Sequence, residues 1–183
     1  FGGVRDIDQR ILRVTDEDRF RDDPLRVLRG VQFVGRFGLK VDDRTSSIIR
    51  EMRSELKYLP KERLKEEWAK LFLRSRKPSL GLQAAMEWGI FHEMHPELVE
   101  LPNTPQEPEW HPEGDVWIHT LMVVDEAKKI IEQEHLKNTD ALVVMLAAFC
   151  HDFGKPITTQ EISGKIRTLG HEVEDLGPLA LVP

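Results

Sequence analysis

Three side chains suited to holding a metal, His119, His151 and Asp152, fall in two strings that read as helix ends. The strings are His111-Pro-Glu-Gly-Asp-Val-Trp-Ile-His119 and Cys150-His151-Asp152-Phe-Gly-Lys-Pro156. Neutral imidazole binds first-row transition metals, and a carboxylate adds charge. A mixed nitrogen and oxygen set of this kind suits Mn, Fe, Co, Ni or Zn better than Ca. Such an ion can hold a phosphate oxygen and acidify a water for attack on phosphorus. Lys155 is close enough in sequence to neutralise phosphate charge, and His171, after Gly170, is a further ligand or a phosphate contact. Two readings stay open on spacing alone. Asp152 could merely cap a neighbouring backbone, and each histidine could be a satisfied core or surface residue, as His92, His95 and His135 are read. His111 reads as a loop residue. Burying a carboxylate with no partner costs several kcal/mol, which favours a cation or a histidine beside Asp152.

A second group carries guanidinium chemistry. Arg26 and Arg29 lie three apart on one helical face, with Asp23 just before them. A guanidinium offers a planar fork of donors that fits phosphates and base edges. A carboxylate beside an arginine matches the donor and acceptor edge of a nucleobase. The plainer reading makes Asp23 an N-cap and leaves the arginines solvated.

The elements that must position these groups are helical. Asp23-Pro24 is a helix start, with Asp as N-cap and Pro at the first helical position. On a 100° wheel Val27, Leu28, Val31 and Val34 fall on one arc, and Arg26, Arg29 and Arg36 on another. Gly38 ends that helix. Asp42-Asp43 caps a second, with Ile48, Ile49, Met52 and Leu56 inward. Pro60 opens a third, where Leu64, Trp68, Leu71 and Phe72 follow i, i+4, i+7, i+8, and Pro78 opens a fourth that ends near Gly89. Residues 101–112 hold four prolines and read as a linker or domain boundary. Glu113 and Asp115 stand near the next helix start. Thr139 or Asn138 caps the following one, whose apolar interior from Ala141 to Cys150 predicts a central, buried helix. Residues 1–20 look like the tail of a preceding unit. No strand alternation is evident after residue 20, so the fold class is all-α.

Bulk properties bound the function. The chain has 183 residues, 40% hydrophobic and 32% charged, with net charge −6. No run approaches the ~18 apolar residues of a membrane span. One cysteine, Cys150, excludes a disulfide framework and suits a reducing cytoplasm. Residues 19–80 carry 17 Lys and Arg against 9 Asp and Glu, whereas residues 101–183 carry 6 against 14. A basic segment on an acidic chain points to a polyanion partner for that segment, or to a solvated helical surface. The chain opens on Phe1-Gly-Gly rather than Met and reads as a piece of something longer.

The order of motifs adds a resemblance. Phe1-Gly-Gly-Val-Arg-Asp-Ile, Ile11-Leu-Arg13 and Asp22-Asp-Pro-Leu-Arg-Val-Leu-Arg-Gly-Val-Gln-Phe33 closely resemble the class II tRNA nucleotidyltransferase (CCA-adding) and poly(A) polymerase family. The resemblance continues through Glu62-Arg63 and Glu67-Trp68 to Pro96-Glu-Leu98. In that family a Glu-Asp-x-x-Arg motif opens the neck helix and templates the incoming CTP or ATP. Carried over, Asp23 and Arg26 contact the base and Arg29 assists nucleotide binding. Asp22 stands where the motif has Glu, and Gln32 is neutral where relatives are often basic. The family transfers nucleotides with two metal-binding carboxylates, assisted by Mg, of a β-polymerase-like head. No such head precedes Phe1 here, so this chain alone is expected not to add nucleotides.

His111 to Thr120, Cys150 to Pro156 and Gly170-His-Glu172 resemble the HD-domain phosphohydrolases. More narrowly, they resemble the HD domain fused to bacterial tRNA nucleotidyltransferases, which acts on 2′,3′-cyclic phosphates and phosphomonoesters. Carried over, His119, His151 and Asp152 are metal ligands, His171 is a further site residue, and His151, Asp152 and Lys155 carry the catalysis. The full pattern ends on another Asp, for which Asp175 falls too early. The resemblance implies a tail of a head domain over 1–20, neck and body over 21–100, and an incomplete HD domain over 101–183. It implies tRNA, ATP and CTP as partners, divalent metal as cofactor, and no membrane. Competing readings are an RNA-binding scaffold with a vestigial HD fold, a poly(A) polymerase-type relative, and a regulatory hydrolase of free nucleotides. The last leaves the arginine helix without a purpose.

Overall fold

The computed structural model describes residues 2–171. Phe1 and residues 172–183, with Glu172 and Asp175 among them, lie outside the described residues. The chain is 65% helical with few short strands, as the all-α reading expects. It divides into two compact units, one through Met94 and one from His95.

The first unit runs α1 (Gly3–Asp8), β1 (Ile11–Leu12), α2 (Glu17–Arg21), α3 (Leu25–Phe37), β2 (Lys40–Val41) and α4 (Asp43–Met52). A 3-10 turn (Arg53–Tyr58) leads to α5 (Lys61–Arg74), α6 (Pro78–Glu87) and α7 (Ile90–Met94). β1 and β2 form one short parallel pair, Ile11 opposite Lys40 and Leu12 opposite Val41. The unit is built on α3, which packs against both α5 and α6. α3 begins one residue later than expected: Pro24, not Asp23, is its N-cap, with no side-chain cap, and Asp23 Oδ1 accepts only from the Leu25 N–H at 3.1 Å. At its end Gly38 takes φ 59°, a left-handed conformation that glycine adopts without a Cβ penalty. Val27, Leu28 and Val31 are at most 1% exposed. Where α6 crosses α3, a Cβ on Gly81 would stand 2.8 Å from the Val31 carbonyl oxygen, so the two backbones meet only because Gly81 has none. Asp42 caps α4 by accepting from the Thr45 N–H, and Trp68 of α5 stacks on Phe91 of α7 at 5.7 Å.

The second unit opens with 3-10 turns at Pro96–Leu98 and Leu101–Asn103, then α8 (Val116–Gln133), α9 (Asn138–Cys150), α10 (Lys155–Thr158), β3 (Thr159–Ile162) and β4 (Lys165–Thr168). The proline-rich segment is packed rather than extended as a linker. Leu101, Thr104 and Gln106 are all buried. Asp115 caps α8 by accepting from the Ile118 N–H at 2.9 Å. α9 has Lys137 at its N-cap and no side-chain cap, so neither Asn138 nor Thr139 serves there.

Burial of α9 also differs from the expectation. Ala141, Met145 and Cys150 are buried and α8 packs against the helix, yet Val143 is 58% exposed. By length and composition Asn138–Thr158 is apolar enough to cross a membrane. Here it is broken by a turn over residues 151–154 and carries the buried, charged Asp152 and Lys155.

The β3–β4 hairpin was not legible as alternation. Its two-residue turn, Ser163-Gly164, has φ of 55° and 73°, the paired left-handed geometry that matches the twist of tight hairpins.

Candidate metal centre and arginine face

Asp152 lies in the turn after α9 and is 2% exposed. Three histidines from separate elements surround it. His151 Nε2 is 3.1 Å from Asp152 Oδ2, and His119 Nε2, from the first turn of α8, is 3.9 Å from the same oxygen. His171 Nε2, just past the hairpin, is 3.6 Å from Oδ1. One ligand atom each from His119, His151 and Asp152 lie within 4.8 Å of one another. His171 therefore joins from the other oxygen of the carboxylate.

The far nitrogens of the rings are all engaged. His119 Nδ1 meets Glu113 Oε1 at 2.6 Å, His151 Nδ1 the Ala148 carbonyl at 2.9 Å, and His171 Nδ1 the Thr168 carbonyl at 3.3 Å. A carbonyl or carboxylate oxygen can only accept, so each Nδ1 carries a proton and each ring is left to face Asp152 with its Nε2. A lone pair facing a carboxylate oxygen across 3.1 Å requires positive charge between them, from a proton or a metal ion. Asp152 Oδ2 is buried without a well-directed hydrogen bond, although Lys155 Nζ is 2.8 Å away. A buried carboxylate faced by three imidazole Nε2 atoms fits a divalent transition metal.

The electrostatics agree. Burial alone would raise the Asp152 pKa, but contact with His151 and Lys155 outweighs it and holds the carboxyl at about 2. Burial works to lower His151, and contact with Asp152 reverses the sign, so its pKa is raised. His119 is lowered, first by burial, against the pull of Glu113 and Asp152. Glu113 is held at about 2 by its own backbone N–H and by His111, with His119 adding to this against burial.

Lys155, expected to meet a phosphate, is turned inward. The residue is 7% exposed, and its ammonium lies beside Asp152 and donates to Gln106 Oε1 at 2.7 Å. Gln106 Nε2 in turn donates to the Asp115 carbonyl at 3.2 Å, tying Lys155 to the start of α8. Neither Gln106 nor Glu113 was identified at this site from sequence. A glutamine in a proline-rich loop carries no signal, and Glu113 reads as a helix-start residue until the loop is folded. His111 lies in a loop as expected, but its ring packs edge-on against His119, with centroids 4.7 Å apart.

In the first unit the arginines of α3 border two hollows. One, of about 340 Å³, is lined by Arg13, Arg19, Arg26, Arg29 and Phe33 among others. The second, of about 410 Å³, has Arg29, Arg36, Arg63, Lys70 and Arg74 on its walls with Asp23, Glu66 and Glu67. Asp23 and Arg26 thus line different hollows, and Arg29 borders both. The Asp23 carboxylate pairs with Arg63 at 3.0 Å. Beneath the second hollow lies a buried network. Gln32 Nε2 donates to Glu67 Oε2, Arg36 to Gln32 Oε1, and Lys70 to Glu67 Oε1, each at 2.7 Å. Arg26, Arg29, Arg36 and Arg74 have no carboxylate partner among the described residues.

Comparison with known proteins agrees with both halves. Residues 38–101 match the family described as the probable RNA and SrmB-binding site of polymerase A, and residues 116–176 match the HD domain. The Multifunctional CCA protein of Vibrio campbellii is 38% identical over 87% of this chain. The chain is similar to members of the tRNA nucleotidyltransferase/poly(A) polymerase family. Another relative in this family, the Multifunctional CCA protein of Stenotrophomonas maltophilia, is 38% identical over 98% of the chain. The chain spans 38% and 43% of the length of these two relatives. The fold is shared with a Thermotoga maritima CCA-adding enzyme solved with tRNA, at 21% identity and TM-score 0.57, over 82% of this chain and 34% of that one. A CCA-adding enzyme solved with ATP shares it likewise, at 22% identity and TM-score 0.57, over 81% of this chain and 33% of that one.

Proposed function

We propose that this chain contributes the neck, body and HD domain of a tRNA nucleotidyltransferase that adds or repairs the 3′-terminal CCA of tRNA. Residues 21–100 are the neck and body in this reading, and 101–183 the HD domain. Asp23, Arg26 and Arg29 bind the incoming ATP or CTP. Arg36 and Arg74 hold RNA phosphates. The support is a set of arginines on α3 and α5 with no carboxylate partner, around hollows of nucleotide size.

The HD domain is a metal-dependent phosphohydrolase of 2′,3′-cyclic phosphates or phosphomonoesters. The observation that carries this is the convergence of three imidazole Nε2 atoms on the buried Asp152 carboxylate. His119, His151 and Asp152 hold the ion, and His171 lies on the open side of Asp152. A bound Mn, Fe, Co, Ni or Zn supplies a Lewis acid for a phosphoryl oxygen and acidifies water. Lys155 keeps Asp152 ionised and oriented.

Metal analysis of the purified chain beside His151→Ala tests this. Stoichiometric metal in the wild type and its loss in the variant are expected. Equal metal content in both would favour an RNA-binding scaffold with a vestigial HD fold. For the body, tRNA affinity should fall steeply with salt, because neutralised phosphates release counterions on binding. A flat response would rule out the phosphate contacts.

A further inference from the structure

We propose that Glu113 is a positioning residue of the metal centre, which fixes His119 through Nδ1 so that Nε2 is presented beside Asp152. This rests on the metal-hydrolase reading above and adds a residue to it.

The local fold brings Glu113 there. Gly114 takes φ 129°, a value L side chains rarely adopt, and Asp115 then caps α8. The turn over residues 111–114, closed by the Gly114 N–H on the His111 carbonyl at 3.3 Å, sets Glu113 beside the first turn of α8, where its Oε1 reaches His119 Nδ1 at 2.6 Å. The same oxygen accepts from His111 Nδ1 at 3.1 Å. The His111 ring stands at 82° to that of His119. An imidazole at the start of a surface helix is otherwise free to rotate or to flip end for end. Here the carboxylate sets its tautomer, and the two partners set its plane.

His111, Glu113 and His119 also qualify, by residue type and proximity, as a second cation site. Distance decides against that. Two ligands on one tetrahedral ion, each about 2.1 Å from it, stand roughly 3.4 Å apart. The separation of 2.6 Å is that of a charge-assisted hydrogen bond. His119 therefore serves one ion, through Nε2, and Glu113 stands behind it.

The centre is asymmetric in consequence. His151 and His171 rest on neutral backbone carbonyls, Ala148 and Thr168, whereas His119 rests on a carboxylate. A carboxylate behind a ligating histidine raises its basicity, and losing such a partner costs on the order of 10–100-fold in metal affinity.

Cobalt(II) titration of the wild-type chain and of Glu113→Gln, followed by the cobalt d–d absorption, tests the proposal. Glutamine keeps the shape and an accepting oxygen but removes the charge. The expected result is roughly 10–100-fold weaker binding with an altered band, in a variant whose circular dichroism matches the wild type. Unchanged affinity and band would overturn the role of Glu113 and leave the metal centre standing. No cobalt binding by the wild type would overturn the metal reading and this role with it. Should Glu113→Gln fail to fold, two-bond proton–nitrogen spectra of the zinc-loaded wild type decide. A proton on His119 Nδ1 supports the proposal, and one on Nε2 overturns it.

Discussion

Lys155 Nζ lies 2.8 Å from Asp152 Oδ2, on the interior side of the carboxylate, with both side chains under 10% exposed. The pair is a buried ion pair, and His151 Nε2 approaches the same oxygen at 3.1 Å. Removing one partner of such a pair leaves an uncompensated charge, which costs about 3–5 kcal/mol, more than the pair itself contributes. Lys155→Met is expected to destabilise the metal-free second unit by several kcal/mol, seen as a lowered midpoint in urea unfolding. Saturating metal should recover part of that loss by supplying the missing positive charge. A variant as stable as wild type would mean that Asp152 is not held by Lys155.

Acid should unfold the second unit before the first. The Asp152 pKa falls from an ordinary 3.8 to about 2, and that of Glu113 from 4.5 to about 2. Both are depressed by folding, so their contribution is present above pH ~4.5 and is lost as pH falls towards 2. For Asp152 alone the linkage is roughly 2 kcal/mol. His151 is raised and His119 lowered, so their contributions run in opposite directions near neutral pH. Tryptophan fluorescence of Trp117 between pH 6 and pH 2, compared with that of Trp68, checks the order of unfolding.

Gly81→Ala should disrupt the packing that holds the arginine helix. Its Cβ would meet the Val31 carbonyl oxygen at 2.8 Å and crowd Leu71 Cδ1, and the carbonyl belongs to α3 itself. Backbone cannot swing aside as a side chain can, so a loss of about 1–3 kcal/mol is expected. Thermal denaturation measures it. An unchanged midpoint would show that α3 and α6 separate without penalty.

Arg36→Ala with Arg74→Ala should weaken tRNA binding and flatten its salt dependence. Each lost phosphate contact takes about 0.9 from the slope of log K against log salt for a duplex. Binding measured at several salt concentrations separates this from misfolding, which would abolish affinity without a graded change in slope. Equal slopes for variant and wild type would remove both arginines from the phosphate-binding face.

The helices around α3 were readable because their signals are local. Asp23-Pro24 at the start, Gly38 at the end and the Val27, Leu28, Val31 periodicity each act within a turn or two of chain. The candidate ligands were equally plain. A vicinal His151-Asp152 closing an apolar helix is costly unless something compensates it, and that cost can be inferred without coordinates.

What the sequence could not carry depends on groups far apart in it. Lys155 reads as a free cation until Gln106, 49 residues away, is brought against it. Asp23 and Arg26 sit three apart on paper, yet Arg63 of another helix pairs with the carboxylate and the two line different hollows. Glu113 becomes the partner of His119 only once the turn over residues 111–114 is formed. Chain order and residue type determined the elements and the chemistry available to them. Which nitrogen of each histidine faces the carboxylate, and which cations remain unpaired, was decided by tertiary structure, because hydrogen bonds and ion pairs act over a few ångströms regardless of sequence separation.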